Sequence, residues 1–304
     1  MPCRCSFRVI VAVLAMLVAS VAFATAAAKS HRSRPHRSVV VRAVPDAATD
    51  GRRLVAWGEG GPSGEIVVRN DATGETSRFD LGRECDYVSV KAGAAGAFLV
   101  YCAGPPSTWM VLDPSTGHVT PVGDAETASC EAFFGIGRYW LAGARPCSHG
   151  TYFYRNWHTG EEKDAGAAEG DPRLPVDLDA KNLPALGASP RALFVVGEER
   201  VLARVRGGHP RRSAIELSKL GSDTRRFKCA SHCEPSSIGG GLTLWLDHDG
   251  STLEGYTFGK RRRLSWSMPV PATVIGSTAT RVYYRTPNAA KPAVLSDVRS
   301  FRWH

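Results

Sequence analysis

Two short stretches bring together side chains that could do chemistry. In Cys229-Ala230-Ser231-His232-Cys233, two thiols and an imidazole fall within five residues, and soft sulfur and nitrogen donors at that spacing suit Zn or Cu(I). The same spacing also closes a small disulfide loop. That reading is favoured, because Cys233-Glu234 takes the place in a repeat that Cys85-Asp86 and Cys130-Glu131 take earlier in the chain. In Asp247-His248-Asp249-Gly250, carboxylates at alternate positions could open a calcium loop, yet the remaining oxygen ligands are missing at the required spacing. Asp-Gly between apolar runs is a hairpin signal, and a plain turn is the favoured reading.

No Gly-x-Ser-x-Gly elbow, His-Glu-x-x-His pair, phosphate loop or dinucleotide fingerprint occurs. The sequence therefore assigns no catalytic residue, no metal ligand and no cofactor. A site assembled from single residues on several elements stays open.

The elements that would position such residues repeat along the chain. Asn70-Asp71-Ala72-Thr73-Gly74 recurs as Asp113-Pro114-Ser115-Thr116-Gly117 and as Asn156-Trp157-His158-Thr159-Gly160, at steps of 43 residues. Each copy lies between short β-rich runs, so each reads as a hairpin turn whose glycine supplies φ > 0. No long segment shows a helical period. The reading is all-β, with six units: 38–82, 87–123, 130–166, 191–229, 233–269 and 272–304. A stretch at 167–190, rich in Pro, Asp and Leu, falls outside them. Without it, six units take about 40 residues each, the length of a four-stranded β-propeller blade. The segment 38–43 is expected beside the final unit, closing the ring. Trp57, Trp140 and Trp245 sit on second strands and are read as core rather than as ligand platforms.

The cysteines keep step with the repeat. Cys85 to Cys102 spans 17 positions, as does Cys130 to Cys147, and both members shift by 45 between copies. The first pair is centred on Ala92-Gly93-Ala94-Ala95-Gly96 and the second beside Gly137, so each is expected to face its partner across a hairpin. The equivalent first-unit positions, Val40 and Trp57, are centred on residues 47–51, a turn without a bridge. The expected disulfides are Cys85–Cys102, Cys130–Cys147 and Cys229–Cys233.

The ends agree with an oxidising compartment. Arg4 and Arg8 precede a charge-free apolar run at 9–24 and then small residues, the order of a cleaved export signal covering 1–28. A retained anchor is the less favoured alternative, since 16 residues are fewer than the roughly 20 that cross a bilayer. Loss of Arg4 and Arg8 lowers the formal charge from +9 to +7. Residues 29–42 hold Lys29, Arg32, Arg34, Arg37 and Arg42 with no acid. Residues 29–37 read as a disordered leader before a single domain at 38–304, and the basic arm could instead dock on an anionic envelope polymer. Nothing resembles a nucleic-acid-binding motif, and nucleic acid is not an expected partner.

The unit pattern, a second strand such as Leu54-Val55-Ala56-Trp57, then a third strand, then Asp-x-x-Thr-Gly, resembles the TolB-like group of exported six-bladed β-propellers. That resemblance implies protein contacts at the cell envelope. The expected function is a non-catalytic, monomeric binding module outside the cytoplasm, for a protein or an anionic polymer. The alternative is a propeller hydrolase or lyase acting on extracellular carbohydrate or lactone.

Overall fold

The computed structural model describes residues 37–59, 64–123, 130–145, 151–166, 178–179, 181, 192–193, 201–206, 214–219, 224–229, 233–239, 241–247 and 251–303. The expected signal at 1–28 and most of the leader lie outside the described residues; Arg37 begins the first strand. Contacts divide the chain into Met1–Arg32 and Ser33–His304, and all described residues belong to the second unit.

Every described element is a β-strand. The first, β1 (Arg37–Val44), is followed by β2 (Ala47–Thr49), β3 (Leu54–Gly58), β4 (Glu65–Asn70) and β5 (Thr76–Asp80), which pair in that order as the first sheet. The second sheet is β6 (Tyr87–Ala94), β7 (Ala97–Ala103), β8 (Thr108–Asp113) and β9 (His118–Pro121). The third is β10 (Ala132–Ile136), β11 (Trp140–Arg145), β12 (Thr151–Asn156) and β13 (Glu162–Gly166). The fourth is β14 (Ala192–Leu193), β15 (Val201–Arg206), β16 (Ala214–Lys219) and β17 (Thr224–Lys228), and the fifth is β18 (Cys233–Gly239), β19 (Leu242–Asp247), β20 (Thr252–Thr257) and β21 (Arg262–Ser267). In the last sheet, β22 (Thr273–Ser277), β23 (Arg281–Pro287) and β24 (Ser296–Arg302) are completed by β1, which pairs antiparallel with β24.

First strands touch from sheet to sheet: β2 with β6, β6 with β10, β18 with β22, and β22 back to β2. The arrangement is consistent with a β-propeller. The apolar core lies between neighbouring sheets, as in the cluster of Ala56, Ile66, Val88, Val90, Phe98 and Met110. Trp140 and Trp245 are fully buried and Trp57 nearly so, which makes them core residues. Gly58 shows how close the sheets come: a Cβ there would lie 2.3 Å from the Val88 carbonyl oxygen, so no larger residue fits without movement.

Three expectations are corrected. Residues 47–49 form strand β2 rather than a turn; Ala47 pairs with Trp57, and Val40 belongs to β1 in the last sheet. The β6–β7 turn lies at Ala95 and Gly96, both with positive φ, and Gly93 is inside the strand. Cys85 and Cys102 are bonded with Cα atoms 5.4 Å apart, but Cys102 faces Val88 across the ladder. Because the turn lies at Ala95 and Gly96, Cys85 falls short of the position opposite Cys102; the bulge between Val90 and Ala92 narrows that offset by one residue, and Cys85 reaches its partner diagonally from the segment leading into β6. Cys229 and Cys233 are also joined. Cys130 is disulfide-bonded, and its expected partner Cys147 lies outside the described residues.

Of the 167–190 stretch, Leu178 is buried against Trp140, Ala142 and Tyr154, and its carbonyl accepts hydrogen bonds from the Tyr139 and Trp140 amides at 3.2 Å.

Candidate functional site

A four-stranded meander returns the chain to the end at which it began. The first-to-second and third-to-fourth turns of each sheet therefore share one end of the strands. The recurring Asx-x-x-Thr-Gly turns are built alike there. The Asn70 Oδ1 accepts from the Ala72 amide at 2.9 Å, Asp113 Oδ1 from Ser115 at 2.9 Å, and Asn156 Oδ1 from His158 at 3.0 Å. The threonine hydroxyl then accepts from the amide two residues on, and the glycine, with φ of 72 to 79°, donates back to the first carbonyl. These bonds fix the first, fourth and fifth positions and leave the two middle side chains free to vary.

The turns of the first three sheets converge on a cleft of about 620 Å³. Its apolar floor includes Leu54, Val68, Phe79, Ala94 and Ala97. Arg52 and Glu75 come from the first sheet, Asp113 and Ser115 from the second, and Arg138, Trp157 and His158 from the third. Both signs of charge thus border an apolar strip.

The third-sheet wall is braced from several sides. Trp157 Nε1 donates to the Gly137 carbonyl at 3.1 Å, and its ring lies 3.6 Å from that of His158. His158 Nε2 donates to the Arg138 carbonyl at 2.9 Å, which leaves Nδ1 as the acceptor when the ring is neutral. The Arg138 amide in turn donates to Asp179 Oδ1 at 2.7 Å, so the described part of the 167–190 stretch pins this wall. On the second sheet, burial pushes the Asp113 carboxyl up, but hydrogen bonds from Ser115 and Thr116 outweigh it and hold the group below the ordinary carboxylate range. It is an anion at neutral pH.

Sequence reasoning read these positions as turn only. The signal was in the variable pair: Trp157-His158 stands where the first copy has Asp71-Ala72, and a turn has no need of two rings there.

Of the residues singled out from sequence as possible metal ligands, the structure joins two cysteines and places one aspartate opposite one of them. Cys229 and Cys233 form a disulfide and are not thiolates available to a metal; His232 lies outside the described residues, as do His248, Asp249 and Gly250. Asp247 ends β19, with its backbone opposite Cys233. Among the described residues no group of three or more His, Cys, Asp or Glu could hold a metal, and no helix is long and apolar enough to cross a membrane.

A second charged cluster is a brace. Glu131, whose side chain is 3% exposed, meets Arg145 at 3.1 Å and Arg155 at 2.8 Å, and Glu162 meets the same two guanidiniums at 2.6 and 2.7 Å. Burial opposes ionisation of Glu162, but the two arginines win and hold its carboxyl below the usual range. Two acids and two bases satisfy one another, with no group left for proton transfer.

No family model and no curated protein matches the chain. Among solved structures it is similar to a luciferin-regenerating enzyme, with TM-score 0.44 and 8% identity over 88% of this chain and 95% of that one. It is also similar to PorZ, a bacterial surface component of the type-IX secretion system of Porphyromonas gingivalis, with TM-score 0.41 and 10% identity over 88% of this chain. The match spans 39% of the PorZ chain. A third likeness is to a chain of a nidogen/laminin complex, with TM-score 0.38 and 9% identity over 74% of this chain and 80% of that one. These neighbours are propeller-like proteins, and no site residue is carried over from any of them.

Proposed function

We propose that this chain is an exported, disulfide-braced β-propeller of six blades that works outside the cytoplasm as a non-catalytic binding module. Its ligand in this reading is a polypeptide segment of a partner protein, held in the cleft over the first three sheets. Six sheets of four strands, with the last completed by β1, support the closed ring. The observation that carries the binding role is the cleft lining: an apolar floor bordered by Arg52 and Arg138 on one hand and Glu75 and Asp113 on the other. A peptide offers apolar side chains, both signs of charge and backbone polar groups within one short length, which matches that lining better than a ligand of single sign. The resemblance of the repeat to TolB-like propellers points the same way.

The test is site-specific photocrosslinking in the producing cell. A photoreactive residue at Ser115, exposed on the cleft, should give a discrete adduct with a polypeptide, and the pair Glu75→Lys and Arg138→Glu should abolish it. An adduct that survives the charge reversal, or forms equally from Arg302 on the last sheet, would overturn the assignment.

A further inference from the structure

The outer strands of the sheets differ sharply in charge. On β17 every ionisable residue is basic, namely Arg225, Arg226 and Lys228. The turn into β21 and the start of that strand hold Lys260, Arg261, Arg262 and Arg263. On β1 they are Arg37 and Arg42. No Asp or Glu occurs on any of these three strands. The outer strands of the first three sheets are different: β5 balances Arg78 with Asp80, β9 has no Lys, Arg, Asp or Glu, and β13 sets Lys163 against Glu162 and Asp164.

Two contacts show that the basic strands are neighbours. The Arg263 guanidinium lies over the Phe227 ring of β17, 5.6 Å from its centre, and Arg37 of β1 donates to the Ser267 carbonyl at the end of β21. The cations therefore form one strip across three sheets. Arg226, Lys228, Lys260 and Arg262 are exposed, and like charges held side by side gain most from a partner that brings many anions at once.

We infer that this strip is a second binding site, separate from the cleft, and that its occupant is a linear acidic polysaccharide. Successive sheets turn relative to one another around the ring, so the strip is convex. A flat bilayer touches a convex strip at one sheet, whereas a flexible chain of carboxylates or sulfates follows all three. The outer strands also leave one row of backbone donors and acceptors without a ladder partner, which suits hydroxyl-rich sugars.

The experiment uses the full mature chain with heparin and polygalacturonate as probes. One variant carries Arg226→Gln, Lys228→Gln, Lys260→Gln and Arg262→Gln. The charge-matched control carries Arg53→Gln, Arg78→Gln, Lys91→Gln and Lys181→Gln, all exposed and away from the strip, and unfolding curves establish that both fold. Affinity at low ionic strength should fall about tenfold or more in the first variant and about twofold or less in the control, and added salt should weaken wild-type binding steeply. Equal losses in the two variants would reduce the effect to net charge and overturn the site. Binding to phosphatidylglycerol vesicles as tight as to the polymers, lost in the same variant, would overturn the polysaccharide in favour of a membrane.

Discussion

The Tyr283 hydroxyl donates to Asp71 Oδ1 across 2.7 Å, joining the second strand of the last sheet to a turn of the first. The same carboxylate, with its side chain 4% exposed, receives the Thr278 hydroxyl at 2.5 Å and the Arg281 guanidinium at 3.2 Å, and it also receives the Thr280 hydroxyl. Asp71 thus gathers four donors from the segment around the start of β23, where the C-terminal part of the chain returns to the N-terminal part. Tyr283→Phe removes one bond and should cost about 1 kcal/mol, while Asp71→Ala strands all four donors and should cost about 2–4 kcal/mol. Denaturant unfolding of the two variants checks the order. Equal losses would show that the donors find water instead.

Alkaline pH should attack this seam and the core of the third sheet. Burial, then the Asp71 carboxylate, drives the Tyr283 phenol far above its ordinary value, and burial pushes Tyr154 up to about 12. An acid whose folded-state pKa is raised contributes stability that is complete below its unfolded pKa and lost as pH rises. Unfolding free energy should hold to about pH 10 and then fall, by up to about 1.4 kcal/mol per pH unit for each such tyrosine. Tyr283→Phe combined with Tyr154→Phe should flatten that limb, and an unchanged slope would place its origin elsewhere.

Close approach between sheets gives a paired test. Gly58→Ala sets a methyl against the Val88 carbonyl of the next sheet and should cost about 1–3 kcal/mol. A Cβ on Gly259 meets nothing within 4 Å, so Gly259→Ala should be neutral or stabilise by a few tenths of a kcal/mol. Thermal melts of both variants decide whether the sheet contact or glycine itself matters.

The scaffold was readable because its rules are local. An Asx side chain that caps a turn, a threonine two residues before the next amide and a glycine with positive φ leave a mark at fixed spacing, and three copies reveal a period. Register was not readable in the same way. The bulge between Val90 and Ala92 shifts β6 against β7 by one residue, and nothing in Val-Lys-Ala-Gly-Ala announces it. Nor was the cleft, since Arg52, Asp113 and Trp157 lie on different sheets and meet only when the turns converge. The basic strip was half visible: the charges of residues 260–263 stand out in the chain, but the contacts of Arg263 with Phe227 on β17 and of Arg37 with Ser267 at the far end of β21 are products of packing.

The disulfides should differ in strength and in access. Cys85–Cys102 closes a loop with a sequence separation of 17, against 4 for Cys229–Cys233, and chain entropy assigns about 3 and about 2 kcal/mol to loops of those sizes. Paired Cys→Ala variants should therefore lose more stability at the first bridge than at the second, without loss of the β-sheet signal, because each sheet is still packed between its neighbours. Access runs the other way. Cys85 and Cys102 are 2% and 0% exposed, whereas Cys229 is half-buried. Graded reduction of the folded protein followed by alkylation should accordingly label Cys229 and Cys233 before Cys85 and Cys102. Peptide mapping before reduction should join the Cys130 peptide to that of Cys147. A link from Cys102 to Cys147, or prior labelling of the buried pair, would mean that the second and third sheets are not arranged as described.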